Sequence, residues 1–77
     1  MRTKVADVTL HVDETLNDRE LLNLEQAIRS DYGVISVGHS DVDRHWMLVL
    51  YDPDAIGGKE ILSRVTKKGF HGELIGF

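Results

Sequence analysis

Four histidines, His11, His39, His45 and His71, stand in a chain of 77 residues that contains no cysteine. Imidazole is the commonest side-chain ligand for Zn(II), Ni(II) and Cu(II), so these residues have the plainest capacity for metal chemistry. Their spacing along the chain forms no ligand motif by itself. The lack of cysteine removes thiolate metal sites, thiol nucleophiles and disulfides together, and leaves the redox compartment unspecified. Oxygen ligands are denser. Asp13, Glu14, Asn17, Asp18 and Glu20 fall within eight residues, but a hard cation needs several convergent oxygens and this run lacks EF-hand spacing. Covalent catalysis has no visible machinery: Ser36 and Ser40 sit in no nucleophile elbow, and Gly57-Gly58 opens no phosphate loop after a strand. No carboxylate stands in a pattern that would shift its pKa, and a chain of this size offers little concavity for a substrate. The expectation is a protein that is not an enzyme.

The rest of the composition narrows the partners. A formal net charge of -4, with no basic run longer than Lys67-Lys68, argues against a phosphate-backbone partner and therefore against nucleic acid. Hydrophobic residues at 42%, with a single proline, describe a folded globular chain. Its length allows one domain, 1–77, near the lower limit at which a hydrophobic core alone sustains a fold. Met1-Arg2-Thr3-Lys4 leads directly into a β pattern, without the apolar stretch of a signal peptide or membrane span. A cytoplasmic location without direct membrane insertion is expected.

Six elements must position the candidate residues. From Val5 to Val12 the residues alternate, with Val8, Leu10 and Val12 on one side and Asp7, Thr9 and His11 on the other, which is the period of a half-buried strand. Asn17-Asp18-Arg19-Glu20 opens a helix carrying Leu21, Leu24, Ala27 and Ile28 at three- and four-residue spacing and ending near Asp31-Tyr32-Gly33. Val34 to Ser40 and Trp46 to Tyr51 read as strands joined through Asp41-Val42-Asp43-Arg44. Asp52-Pro53-Asp54 breaks the second of these, and Lys59 to Lys68 carries Ile61, Leu62 and Val65 at helical spacing before Gly69 stops it. The apolar tail, Phe70 to Phe77, is long enough for one edge strand.

The order β-α-β-β-α-β with right-handed crossovers specifies an α+β ferredoxin-like sandwich, a four-stranded antiparallel sheet with both helices on one face. The expected strand order is fourth, first, third, second, with the first and third strands central and mutually parallel. That order sets the end of the first strand beside the start of the last, so His11, His71 and Glu73 become neighbours on the uncovered face. They form a candidate metal site for Zn(II), Ni(II) or Cu(II). His39 and His45, flanking the hairpin, read as ordinary hairpin residues because a one-residue slip decides whether they face each other. If Met47, Val49 and Tyr51 face the helices, Trp46, Leu48 and Leu50 point the other way, joined by Ile75. A strand apolar on both sides is normally covered on both, so these four residues are the expected contact surface for a protein partner or a homodimer.

The segments Val8-Thr9-Leu10-His11-Val12, Glu25-Gln26-Ala27-Ile28, Gly33-Val34 with Val37, Tyr51-Asp52-Pro53-Asp54, Lys68-Gly69-Phe70 and Glu73-Leu74-Ile75-Gly76 resemble, in this order and spacing, a heavy-metal-associated domain. The resemblance implies a metallochaperone-like module in metal-ion transport or homeostasis, but it places the family's two metal-binding cysteines on Asn17 and Glu20, its loop methionine on Thr15 and its loop glycine on Glu14. The thiolate site is lost. Asn17 and Glu20 instead have the spacing of a helix-capping box. Phe70, where the family keeps an aromatic beside its metal loop, is expected to pack that loop onto the core. Two alternatives remain: metal binding through His and carboxylate ligands, or a small-ligand regulatory module like the ACT domain, which shares the element order. The ACT domain favours a glycine after the first strand, where this chain has Asp13-Glu14-Thr15-Leu16.

Overall fold

The computed structural model describes residues 4–75. Met1, Arg2, Thr3, Gly76 and Phe77, and with them the expectations for the chain start and the tail end, lie outside the described residues. The elements are β1 (Ala6–Val12), α1 (Asp18–Arg29), β2 (Val34–His39), β3 (Trp46–Tyr51), α2 (Gly58–Lys67) and β4 (Gly72–Ile75). One sheet is formed in the order β2-β3-β1-β4. Alternation decides its faces: Val8, Leu10 and Val12 of β1 and Met47, Val49 and Tyr51 of β3 are buried. They pack against Leu21, Leu24 and Ile28 of α1 and Ile61 and Val65 of α2, so both amphipathic helices cover the same face.

Every pairing in the sheet is antiparallel, including that of β1 with β3, which corrects the parallel orientation expected for the two central strands. The crossover through α1 returns β2 in the direction of β1, and the hairpin then reverses β3. A strand inserted between β1 and β2 by that hairpin must oppose both. The edge strand β2 carries a further irregularity that the sequence pattern does not announce. Between the pairs Val34 with Tyr51 and Ser36 with Leu50 the register shifts, so Ile35 is an extra residue in a β-bulge. Ile35 and Ser36 are both exposed, between the core-packed Val34 and Val37.

The helix ends follow from local chemistry. Asn17 Oδ1 accepts from the Glu20 backbone N–H at 2.8 Å, and the Asn17 backbone N–H donates to Glu20 Oε1 at 3.0 Å. The first turn of α1 thereby gains two of the partners its orphan groups need. At α2, Gly57 has no side chain to cap with, but its N–H donates to Glu60 Oε2 at 2.9 Å. Beyond Lys67, Gly69 adopts φ +88°, a left-handed conformation that side chains disfavour. It lets the Phe70 N–H return to the Val65 carbonyl at 3.2 Å. Phe70 is thereby brought against the core. Between the helices, Arg64 Nε donates to Asp31 Oδ2 at 2.9 Å.

Candidate functional site

Two regions have the residue types for function. One is the end of the sheet where the β1–α1 loop meets the α2–β4 loop; the other is the sheet face that the helices leave open.

At the loop end, the carboxylate of Glu14 spans the two loops. Its Oε1 accepts from the His71 backbone N–H at 2.8 Å, and its Oε2 lies 2.6 Å from His71 Nδ1. The Asp13 N–H donates to the His71 carbonyl at 2.7 Å, completing the clasp. The bond from the His71 backbone, reinforced by that from its side chain, holds the Glu14 carboxyl below its ordinary value of 4.5. In the reverse direction the hydrogen bond to Glu14, and then its charge, raise the His71 imidazole above its ordinary 6.5. Asn17 and Glu20, the two positions that the family resemblance aligns with thiolates, are engaged with one another in the cap. Arg44 reaches from the hairpin to Asp18 at 2.6 Å. Soft Cu(I) requires thiolate or thioether ligands, and an amide and a carboxylate that each accept from the other residue's backbone N–H do not fit it.

The sequence-predicted trio is placed as follows. Glu73 lies directly opposite His11 across the β1–β4 ladder, and Gly72 opposite Val12, which puts His11 and Glu73 on one face. The His71 imidazole, one residue before β4, turns to Glu14, whereas His11 Nδ1 lies 3.4 Å from Asp13 Oδ1. Each histidine of the expected pair therefore has its own carboxylate. His11 instead approaches His45, with ring centroids 5.6 Å apart and planes 18° from parallel, and meets Trp46 edge to face at 4.6 Å. His45 Nδ1 lies 2.7 Å from the Val12 carbonyl oxygen, and its Nε2 3.5 Å from Thr15 Oγ1. The hairpin histidines are thus parted: His39 goes to the helix side, where its Nδ1 is 3.3 Å from Oε2 of the buried Glu25. Among the described residues no group of three or more His, Asp or Glu side chains is placed to hold a metal ion.

On the open face, Trp46, Leu48 and Leu50 of β3 alternate with the buried set and stand beside His11, Thr9 and Asp7 of β1. Ile75 follows Thr9 across the next ladder. Leu48 is 47% exposed and Ile75 42%; Trp46 and Leu50 are half-buried. Two apolar residues beyond the four expected are also exposed: Val5, at 61%, just before β1, and Ile35 on the bulge. The parity of Val5 with Asp7, Thr9 and His11 is legible in the sequence. The bulge at Ile35 is not, because a register shift leaves no mark in a run of six residues. Asp7 and Glu73 bring negative charge to this face, and no Lys or Arg lies on the strand segments that form it.

The same architecture occurs in solved structures of other proteins. Oxidised MerP from Ralstonia metallidurans CH34 matches with a TM-score of 0.84 and 16% identity over 95% of this chain and 100% of that one. The N-terminal domain of a potential copper-translocating P-type ATPase from Bacillus subtilis, in its Cu(I)-loaded state, matches with a TM-score of 0.85 and 15% identity over 95% and 90%. The yeast copper transporter domain Ccc2a, solved apo and Cu(I)-loaded, matches with 0.79 and 21% over 91% and 94%. The chain has the heavy-metal-associated fold. At these identities the likeness establishes the architecture and nothing finer. No protein-family model and no curated sequence matches the chain. Against the heavy-metal-associated frame, the loop end of this chain is built from Glu14, Asn17, Glu20 and His71 rather than from thiolates. No helix among the described residues is long and apolar enough to cross a membrane.

Proposed function

We propose that this domain is a non-catalytic, metallochaperone-like module that acts in the cytoplasm, in metal-ion transport or homeostasis. It works by docking a protein on its open sheet rather than by carrying an ion on thiolates. The observation that carries the reading is the apolar row Trp46, Leu48, Leu50 and Ile75 on a face that this chain's own helices do not reach. Burying one such aliphatic side chain contributes roughly 1.5–3 kcal/mol, so a few of them offset much of the entropy lost on association. Charge selects the occupant. With Asp7 and Glu73 on the face and no Lys or Arg on its strand segments, a second copy would set like charges against each other, whereas apolar groups rimmed by Lys or Arg would meet complementary charge.

The test uses the single tryptophan as reporter and two designed peptides with the same alternating leucines, one spaced by lysines and one by glutamates. The lysine peptide is expected to shift Trp46 emission saturably, and to lose this effect with Leu48→Glu. Equal binding of both peptides, or unchanged binding by Leu48→Glu, contradicts the reading. Sedimentation across a concentration series supplies the other arm: a wild-type dimer that Leu48→Glu dissociates would give the face to a second copy.

A further inference from the structure

The histidines at the loop end leave ligand atoms over after their hydrogen bonds are assigned. A carbonyl oxygen only accepts, so the 2.7 Å contact between His45 Nδ1 and the Val12 carbonyl requires a proton on Nδ1 and leaves a lone pair on the Nε2 of the neutral ring, which meets Thr15 Oγ1 only at a long 3.5 Å and can exchange that contact for an ion. In His11, Nδ1 is the nitrogen turned to a carboxylate, 3.4 Å from Asp13 Oδ1, which assigns the proton to Nδ1 and leaves Nε2 as the acceptor. An Nδ1–H directed at a carbonyl or carboxylate is the arrangement that orients metal-ligating imidazoles and raises their basicity. The two rings so prepared are also close together, their centroids 5.6 Å apart. Imidazoles sharing one tetrahedral ion through nitrogens at ~2.0–2.1 Å place their centroids about 5 Å apart with the ion in both ring planes, so from the stacked arrangement, 18° from parallel, the His11 ring must turn to share an ion.

We propose that His11 and His45 form a two-imidazole site for a borderline divalent cation, Cu(II), Ni(II) or Zn(II), with water completing the coordination. The pair differs from the His11, His71 and Glu73 set that strand order implies, because the carboxylate of Glu14 holds His71 aside. His45 is the fixed ligand, anchored to the β1 backbone. His11 is the adjustable one, since its contact to Asp13 is long and χ2 of histidine is a soft torsion. Ligands of this kind favour these ions over Cu(I), Ca(II) or Mg(II). With only two protein donors the site binds reversibly and exchanges its ion with solvent. It adjoins the docking surface, since His11 lies on the open face against Trp46.

The edge contact of Trp46 with His11, at 4.6 Å, gives the test its reporter: Cu(II) bound there quenches the single tryptophan. Titration of the full chain with CuCl2 is expected to give saturable quenching, and calorimetry with ZnCl2 one ion per chain. His11→Ala and His45→Gln should each weaken binding roughly tenfold or more, while His71→Ala and His39→Ala leave it within about twofold, since only the first two remove a ligand. The glutamine at position 45 keeps an N–H for the Val12 carbonyl, and thermal melts verify that the fold is retained. No saturable binding of either ion overturns the proposal, as does unchanged binding by His45→Gln. Loss of binding in His71→Ala with His45→Gln unaffected overturns it in favour of the His11, His71 and Glu73 set.

Discussion

The loop end and the open sheet face of this domain are adjacent, yet they differ in what their side chains still lack. At the loop end the polar groups answer one another: Asn17 with Glu20, Glu14 with His71, Asp18 with Arg44. Among the described residues no buried side-chain polar atom is left without a partner. On the open face, Leu48 and Ile75 stay in contact with water because the helices lie on the other side of the sheet. A group already satisfied within the chain is costly to recruit for a ligand, since its present bond must be given up first. An exposed apolar row loses only water when a partner arrives. The capping and clasp residues of the loop end are thus engaged within the chain, whereas the apolar row of the open sheet is not.

Leu48 separates the two regions most sharply. Leu48→Glu should reduce binding of the lysine peptide by about thirtyfold, the effect of losing some 2 kcal/mol at a central contact. It should alter folding stability by no more than about 0.5 kcal/mol because the side chain is exposed. Peptide titration and urea unfolding check the two numbers. The complementary change at the other region is Asn17→Ala, which should cost about 1 kcal/mol of stability by removing the cap, and lower the melting temperature by about 4–8 °C. Peptide binding should remain as in the wild type. If Asn17→Ala abolished docking while leaving stability intact, the division between a structural end and a contact face would be wrong.

The smallest expected effect is a titration. His71 is raised and Glu14 lowered by the same contact, so the two ends of the clasp fail at opposite extremes of pH. The contribution of Glu14 is present above its ordinary 4.5 and is lost as pH falls through its lowered folded value. That of His71 is present below its ordinary 6.5 and is lost as pH rises through its raised folded value. The clasp is therefore strongest between these ordinary values, in mildly acidic solution. An NMR titration of the His71 ring should give a midpoint above 6.5, and Glu14→Gln should return it toward that value. An unchanged midpoint in the variant would mean that Glu14 does not hold His71 in solution.

Much of this fold is legible along the chain because its signals are local. The alternation in β1 and β3 names both faces of the sheet, and the spacing of Asn17 and Glu20 carries a cap whose geometry lies within four residues. The ferredoxin-like architecture follows from element order, with the antiparallel relation of β1 and β3 requiring the hairpin reversal to be traced through. What the sequence withholds is long-range. His45 meets Val12 across 33 residues and His71 meets Glu14 across 57, and nothing near either histidine in sequence selects those partners. Strand order brings β1 and β4 together, but the direction of an imidazole depends on which oxygen competes for it. The bulge at Ile35 belongs to the same class, being set by pairing with Leu50 rather than by its neighbours.

Asn17 and Glu20, at the positions that the resemblance aligns with the family's thiolates, serve as a structural cap. Competition for Cu(I) against a high-affinity chelator, performed on the full chain and on the Asn17→Ala, Glu20→Ala double variant, addresses it directly. The claim predicts that the chelator retains Cu(I) in both titrations, since neither protein presents a soft ligand pair at the start of α1. A sub-nanomolar Cu(I) complex formed by the wild-type chain and abolished in the double variant would contradict it.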